Sequence, residues 1–123
     1  MNTVTKRELR IGSRTIDDDG DCYVIAEVGN NHQGEMAKAI ALFRAAKDAG
    51  CQAVKLQKRD NRSLYTRKAF DMPYENENSF GETYGQHREF LEFGKKEYVE
   101  LQQLAKELGI DFFATAAMTS WSA

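Results

Sequence analysis

Apolar residues in this chain fall into two kinds of run that alternate. Tyr23-Val24-Ile25-Ala26-Glu27-Val28 is short, rich in β-branched residues and almost continuously apolar, which predicts a strand buried on both faces. Gly29-Asn30-Asn31-His32-Gln33-Gly34 breaks it. From Glu35 to Ala49, the residues Met36, Ala39, Ile40, Phe43 and Ala46 recur at helical spacing, and Gly50 supplies a stop. A second strand, Ala53 to Gln57, follows at once. Another helix is predicted from Lys95 to Leu108, with Tyr98, Leu101, Ala105 and Leu108 on one face. Gly109 ends it, and a third strand runs from Asp111 to Thr115.

The two helix ends echo each other. Ala46-Lys47-Asp48-Ala49-Gly50 precedes the second strand, and Ala105-Lys106-Glu107-Leu108-Gly109 precedes the third. The order β-α-β-α-β implies parallel strands joined by right-handed crossovers. An open doubly wound sheet and part of a (β/α)8 barrel both fit. Two short strands around Gly12-Ser13 are predicted over residues 8–16. Residues 58–94 read as a polar loop of weak periodicity, far longer than the usual βα connection of about 2–6 residues.

Alternation along strands sorts the side chains into two faces. Val24 and Ala26, Val54 and Leu56, Phe112 and Ala114 form an apolar set suited to burial under helices. The opposite set turns polar toward the C-terminal ends, with Glu27, then Lys55 and Gln57, then Thr115. Parallel α/β folds carry their active sites at that end. One reading makes Glu27 and Lys55 a structural ion pair. The other makes them a site, with the Lys55 ammonium facing an anionic ligand.

Composition narrows the classes. The 123 residues are 41% hydrophobic and 29% charged, so a packed core is expected rather than disorder. A net charge of -2 argues against a nucleic-acid partner. No apolar run approaches the about 20 residues of a membrane span, and the N-terminus lacks the apolar stretch of a secretory signal. A cytoplasmic protein with no membrane partner is expected. Cys22 and Cys51 form no Cys-x-x-Cys pair and read as reduced thiols.

Other candidates carry less. The run Asp17-Asp18-Asp19-Gly20-Asp21 reads as a solvated turn, since a calcium loop would need a glutamate at its twelfth position. The loop Gly29–Gly34 could present backbone N–H groups to an anion, but it matches no nucleotide-binding fingerprint. His32 and His87 are isolated, with no metal-ligand spacing. Lys58, Arg59, Arg62, Arg67 and Lys68 make a basic cluster, read either as solvated surface or as an electropositive rim for an anionic substrate.

Four ordered segments carry a family likeness. The segment from Tyr23 to Gly34 resembles the opening strand and loop of the sialic acid synthase family. Ala53-Val54-Lys55-Leu56-Gln57-Lys58-Arg59 resembles its second strand, and Thr83-Tyr84-Gly85-Gln86-His87-Arg88-Glu89-Phe90-Leu91-Glu92-Phe93 the segment before its second helix. Leu108-Gly109-Ile110-Asp111-Phe112-Phe113-Ala114-Thr115 resembles its third strand. The likeness runs from about residue 8 to about residue 116 and stops in the tail. It implies an α/β fold, a (β/α)8 TIM barrel of which this chain carries the N-terminal hairpin and the first three strands with two helices. Three strands cannot close such a barrel, which takes about 250 residues. The expected division is a hairpin and turn over 1–21, the first β/α units over 22–116, and a tail over 117–123 that does not match.

The resemblance also implies a reaction. A phosphoenolpyruvate-condensing transferase would join phosphoenolpyruvate to an N-acetylated hexosamine, N-acetylmannosamine, giving N-acetylneuraminate and phosphate. Carried over by position, Lys55 would contact phosphoenolpyruvate and Thr115 would sit at its phosphate or carboxylate. Glu27 would be the catalytic carboxylate at the reacting centre. Gln57 joins the phosphoenolpyruvate contacts by extrapolation from strand geometry. Residues 58–94 would cover the mouth of the site, supported by Tyr84 and Arg88. The family's divalent metal, manganese or magnesium, would find its ligands beyond these 123 residues, which alone would be inactive. The intact enzyme would be a homodimer. The alternatives are a synthase of a related nonulosonic acid, legionaminic or pseudaminic, and a truncated non-catalytic fragment.

Overall fold

The computed structural model describes residues 5–117. Two elements open the chain, β1 (Glu8–Ile11) and β2 (Arg14–Asp17), paired as an antiparallel hairpin. Gly12 makes the turn with a φ of 57°, a left-handed conformation that glycine adopts without steric cost. Then come β3 (Ile25–Gly29), α1 (Met36–Asp48) and β4 (Ala53–Arg59). The excursion that follows holds α2 (Asn61–Leu64), α3 (Arg67–Phe70) and α4 (Tyr84–Leu91). The chain returns through α5 (Lys95–Leu108) and β5 (Asp111–Ala117). Strands β3, β4 and β5 form a parallel sheet in that order.

The helix-facing side of this sheet is the core. Ala39, Phe43 and Ala46 of α1 and Leu101 and Ala105 of α5 pack on Val54 and Leu56 of β4, with Val28, Phe93 and Ile110 completing the cluster. Phe43 meets Phe112 edge-on at 5.1 Å between ring centroids. The echo in sequence becomes an echo in hydrogen bonding. Gly50 donates to Lys47 O and Cys51 to Ala46 O; Gly109 donates to Lys106 O and Ile110 to Ala105 O. Both glycines have positive φ, 85° and 66°, so each helix is closed by the same left-handed turn into a strand.

Four sequence expectations need correction. The first strand begins at Ile25 rather than Tyr23, because the Val24 N–H is taken by the Gln52 side chain at 2.6 Å rather than by a neighbouring strand. It is not buried on both faces: Val24 and Ile25 are 46% and 45% exposed. Strands β4 and β5 are longer than expected, since pairing continues through Lys58↔Ala116 and Arg59↔Ala117. Residues 58–94 are therefore not one loop, and helices α2, α3 and α4 add to the two expected. Each is started by a side-chain cap, from Asp60, Thr66 and Thr83. Thr83 and Gln86 form a reciprocal capping box. Gly85 lies against Phe70 so closely that a Cβ there would run into the ring. His87 is buried beneath Tyr74 and Phe80, and its Nδ1 accepts the Phe80 N–H at 3.2 Å.

The hairpin is tied to the N-terminal end of the sheet. Arg14 donates to Gly109 O at 3.1 Å and lies 3.5 Å from Asp111, which also accepts the Tyr23 hydroxyl at 2.6 Å. Of the tail 117–123, residues 118–123 lie outside the described residues.

Candidate active site

The opposite end of the sheet gathers the polar residues. Lys55 stands at its centre. Its Nζ lies 2.5 Å from Glu27 Oε2 on β3 and donates to Thr115 Oγ1 on β5 at 2.8 Å. Glu27 and Lys55 are register partners, and Thr115 is the register partner of Gln57. The ladder shifts between Glu27 and Gly29, where Gly29 has a φ of 55°. A Cβ on Gly29 would lie 3.2 Å from Glu27 Oε1 and 3.8 Å from Gln57 Nε2. These two side chains therefore converge over the bare glycine, and the structure brings all four predicted site residues together. The Glu27 side chain is 46% exposed and that of Lys55 21%. The pair faces a partly open surface, where a ligand can reach it and where solvent screens it.

Gln57 extends the network, its Oε1 accepting from Arg59 Nη2 at 2.9 Å. Beyond it, Tyr84 OH accepts from Arg88 Nε at 3.0 Å and shares a hydrogen bond with the Tyr65 hydroxyl at 3.4 Å. Burial pushes the Tyr84 phenol up. Hydrogen bonds with Tyr65 and Arg88, together with the charges of Arg88 and Arg59, outweigh that and hold it below its ordinary range. Tyr65 is raised by burial first and by its bond to Tyr84 second. The excursion is fastened to the sheet by Glu92, whose Oε2 accepts from Lys58 Nζ at 3.0 Å and from the Arg59 N–H at 3.2 Å. Sequence reading missed this anchor because Lys58 and Glu92 are 34 positions apart. The one local sign was a carboxylate set between two apolar residues, Leu91 and Phe93.

Other expectations resolve differently. The loop 29–34 uses its own amides: Asn31 donates to Val28 O, Gln33 to Asn30 O, Glu35 to His32 O and Gly34 to His32 Nδ1. Those four N–H groups are not aimed at an anion. His32 is 1% exposed, stacks on Phe93 at 3.9 Å between centroids, and is lowered to about 4 by burial, so it is a neutral packing residue. The basic cluster is not one rim. Lys58 pairs with Glu92, Arg59 bonds Gln57, and Arg62 lies over the Phe70 ring at 4.2 Å. Among the described residues no three His, Cys, Asp or Glu side chains come together to hold a metal, and no helix is long and apolar enough to cross a membrane.

The order of strands, the hairpin at one end and a Lys–Glu–Thr cluster at the other can now be set beside known proteins. The sequence model of the NeuB family matches residues 42–121. The chain belongs to the NeuB family. The matched span enters the tail beyond residue 116, where the resemblance read from the residues stopped. The chain is 48% identical over 94 residues to an N-acetylneuraminate-9-phosphate synthase of Drosophila melanogaster, and 44% to one of Homo sapiens over the same length. Each alignment covers 76% of this chain and about a quarter of the relative (25% and 26%). An N,N'-diacetyllegionaminic acid synthase of Legionella pneumophila is 34% identical over 95 residues, covering 76% of this chain and 27% of that protein. Among solved structures, a sialic acid synthetase from Leptospira borgpetersenii superposes with a TM-score of 0.69 at 28% identity. That superposition covers 92% of this chain and 35% of the other. The chain thus spans about a quarter of the length of the curated relatives it matches.

Proposed function

We propose that the intact protein is a synthase that condenses phosphoenolpyruvate with an N-acetylated hexosamine, yielding a nine-carbon 2-keto acid and inorganic phosphate. The observation that carries this reading is the position of Lys55. It stands midway along the central strand of a parallel sheet, its ammonium between a carboxylate and a hydroxyl, in a chain of the NeuB family. The arrangement suits an anionic substrate, since the Lys55 ammonium can exchange part of its contact with Glu27 for a phosphate or carboxylate oxygen. Thr115 offers the same anion a hydroxyl, and Gln57 an amide N–H. Glu27, released from full pairing, is the carboxylate that handles protons and stabilises positive charge at the reacting carbon.

In this reaction carbon 3 of phosphoenolpyruvate attacks the sugar aldehyde, and the aldehyde oxygen takes up a proton. Water adds at carbon 2, and the tetrahedral intermediate expels phosphate. Among the described residues no three His, Cys, Asp or Glu side chains gather at this cluster, so the donor set does not by itself fit the family's divalent metal, manganese or magnesium. A closed (β/α)8 barrel, a cytoplasmic location and a homodimer belong to the same proposal.

Two readings of the acceptor differ by one group. N-Acetylmannosamine would give N-acetylneuraminate. The names of the 48% and 44% identical relatives favour its 6-phosphate, which would give the 9-phosphate of the product. The legionaminic acid synthase, at 34%, marks a third acceptor. The test is phosphate release and product mass with phosphoenolpyruvate and each sugar in turn. A condensation product with one of them supports the synthase reading. No product with any acceptor, and no phosphoenolpyruvate binding, contradicts it.

A further inference from the structure

A second group of cations lies farther along the same strand, and the proposed reaction so far gives it no role. Arg59 ends β4 two residues beyond Gln57 and four beyond Lys55, so alternation puts all three on one face. At the rise of a strand, about 3.3 Å per residue, the Cα of Arg59 is about 13 Å from that of Lys55. One guanidinium nitrogen, Nη2, donates to Gln57. The other, Nη1, is buried and has no hydrogen-bond partner among the described residues. The Glu92 carboxylate serves Lys58 and the Arg59 backbone N–H, not this guanidinium. Arg88 bonds the Tyr84 hydroxyl and lies 5.3 Å from its ring centre. Among the described residues neither Arg59 nor Arg88 forms an ion pair. The Arg59 charge also acts on both Tyr65 and Tyr84, which places the two phenols within its electrostatic reach.

A buried donor without a partner is costly, and more so when it is charged. Such a group is satisfied when a ligand completes it. Two unpaired guanidinium groups and two phenols suit a phosphate monoester, whose oxygens accept several donors and match the arginine fork. We propose that Arg59 and Arg88, with Tyr65 and Tyr84, form a second anion subsite that binds the phosphate of a phosphorylated acceptor sugar whose aldehyde end lies at Lys55. The inference rests on the synthase reading, which it deepens by naming the acceptor's class. The aldehyde and phosphate ends of such a sugar would address the long side chains of Lys55 and Arg59, which lie on one face of β4.

Calorimetric titration of the intact protein separates the outcomes. The ligands are N-acetylmannosamine 6-phosphate, N-acetylmannosamine and phosphoenolpyruvate, each added alone. Arg59→Gln should weaken the phosphorylated sugar at least about tenfold and leave the other two within about twofold, because only one ligand loses a charge-assisted contact. Arg88→Gln, on another element, should repeat the pattern, and Arg59→Lys should restore part of the affinity. Thermal melts of each variant identify a folding defect, and the Arg88 variant then decides the matter. A loss confined to phosphoenolpyruvate, or equal losses for both sugars, would overturn the subsite. Failure of the synthase reading looks different: the unmodified protein would bind neither phosphoenolpyruvate nor either sugar. Inorganic phosphate then becomes the probe. Binding that depends on Arg59 keeps the anion subsite, and binding that does not removes it.

Discussion

The sheet with its two long helices and the excursion between β4 and α5 are built on different principles. In the first, Ala39, Phe43, Val54, Leu56 and Leu101 have no solvent exposure, and the helices are held by apolar contact with the sheet and with each other. In the second, three short helices are started by side-chain caps, Gly85 admits the Phe70 ring, and a histidine is clasped by tyrosine and phenylalanine. The excursion presents large apolar side chains to solvent, with Met72 at 53% and Phe90 at 51% exposure. It meets the framework through the polar anchor of Glu92 and through Phe93, which joins the apolar core and stacks on His32. The sheet presents Lys55, and the separately organised excursion carries Tyr84 and Arg88. Catalytic folds use this division, in which the scaffold fixes position and the connection supplies specificity.

Substitutions should expose the difference. Leu56→Ala removes a fully buried side chain between sheet and helices and should cost about 2–5 kcal/mol, seen as a large fall in urea midpoint for the whole chain. A local loss confined to residues 58–94 would contradict the shared core.

Acid should weaken the framework next. His32 has a folded pKa of about 4 against an ordinary 6.5, lowered by burial. The unfolded state therefore binds more protons between those values. The contribution is fully present above pH 6.5 and is lost as the pH falls through about 4. It should amount to on the order of 3 kcal/mol. Melting temperatures from pH 7.5 down to about 4 should fall, and His32→Asn should flatten that dependence. His87, in the excursion, is lowered in the same direction by burial first and by Arg88 second, so it sharpens the comparison by acting locally.

The smallest effect belongs to a cap. Thr83→Ala removes the hydroxyl that accepts the Gln86 N–H at 3.2 Å and should cost about 1 kcal/mol. Amide exchange should quicken in α4 while α1 and α5 keep their protection. Uniform quickening would mean that the excursion and the framework open together.

The same division explains what could be read from the residues alone. Helix α5 was legible to both ends, because a clear periodicity meets a glycine that the turn requires. The hairpin followed from the turn at Gly12-Ser13, and the convergence of Glu27, Lys55, Gln57 and Thr115 from alternation on parallel strands. The start of β3 did not, since the Gln52 side chain decides it from 28 residues away. Helix α4 spans only eight residues, too few for periodicity to speak, although Thr83 and Gln86 carried the capping spacing. The Lys58–Glu92 anchor joins two segments that no local rule connects. Arg59 was visible only as one charge among five, and its separate place became evident once β4 was seen to extend to it.

The central claim is that Lys55 is the cation that receives the phosphoenolpyruvate anion. The direct test is calorimetric binding of phosphoenolpyruvate to the intact protein and to Lys55→Ala, with melting curves alongside. The account predicts at least about a tenfold loss of affinity in a variant that still melts cooperatively, since a charge-assisted contact is removed. Unchanged affinity in a folded variant would contradict it and would leave Glu27 and Lys55 as a structural ion pair.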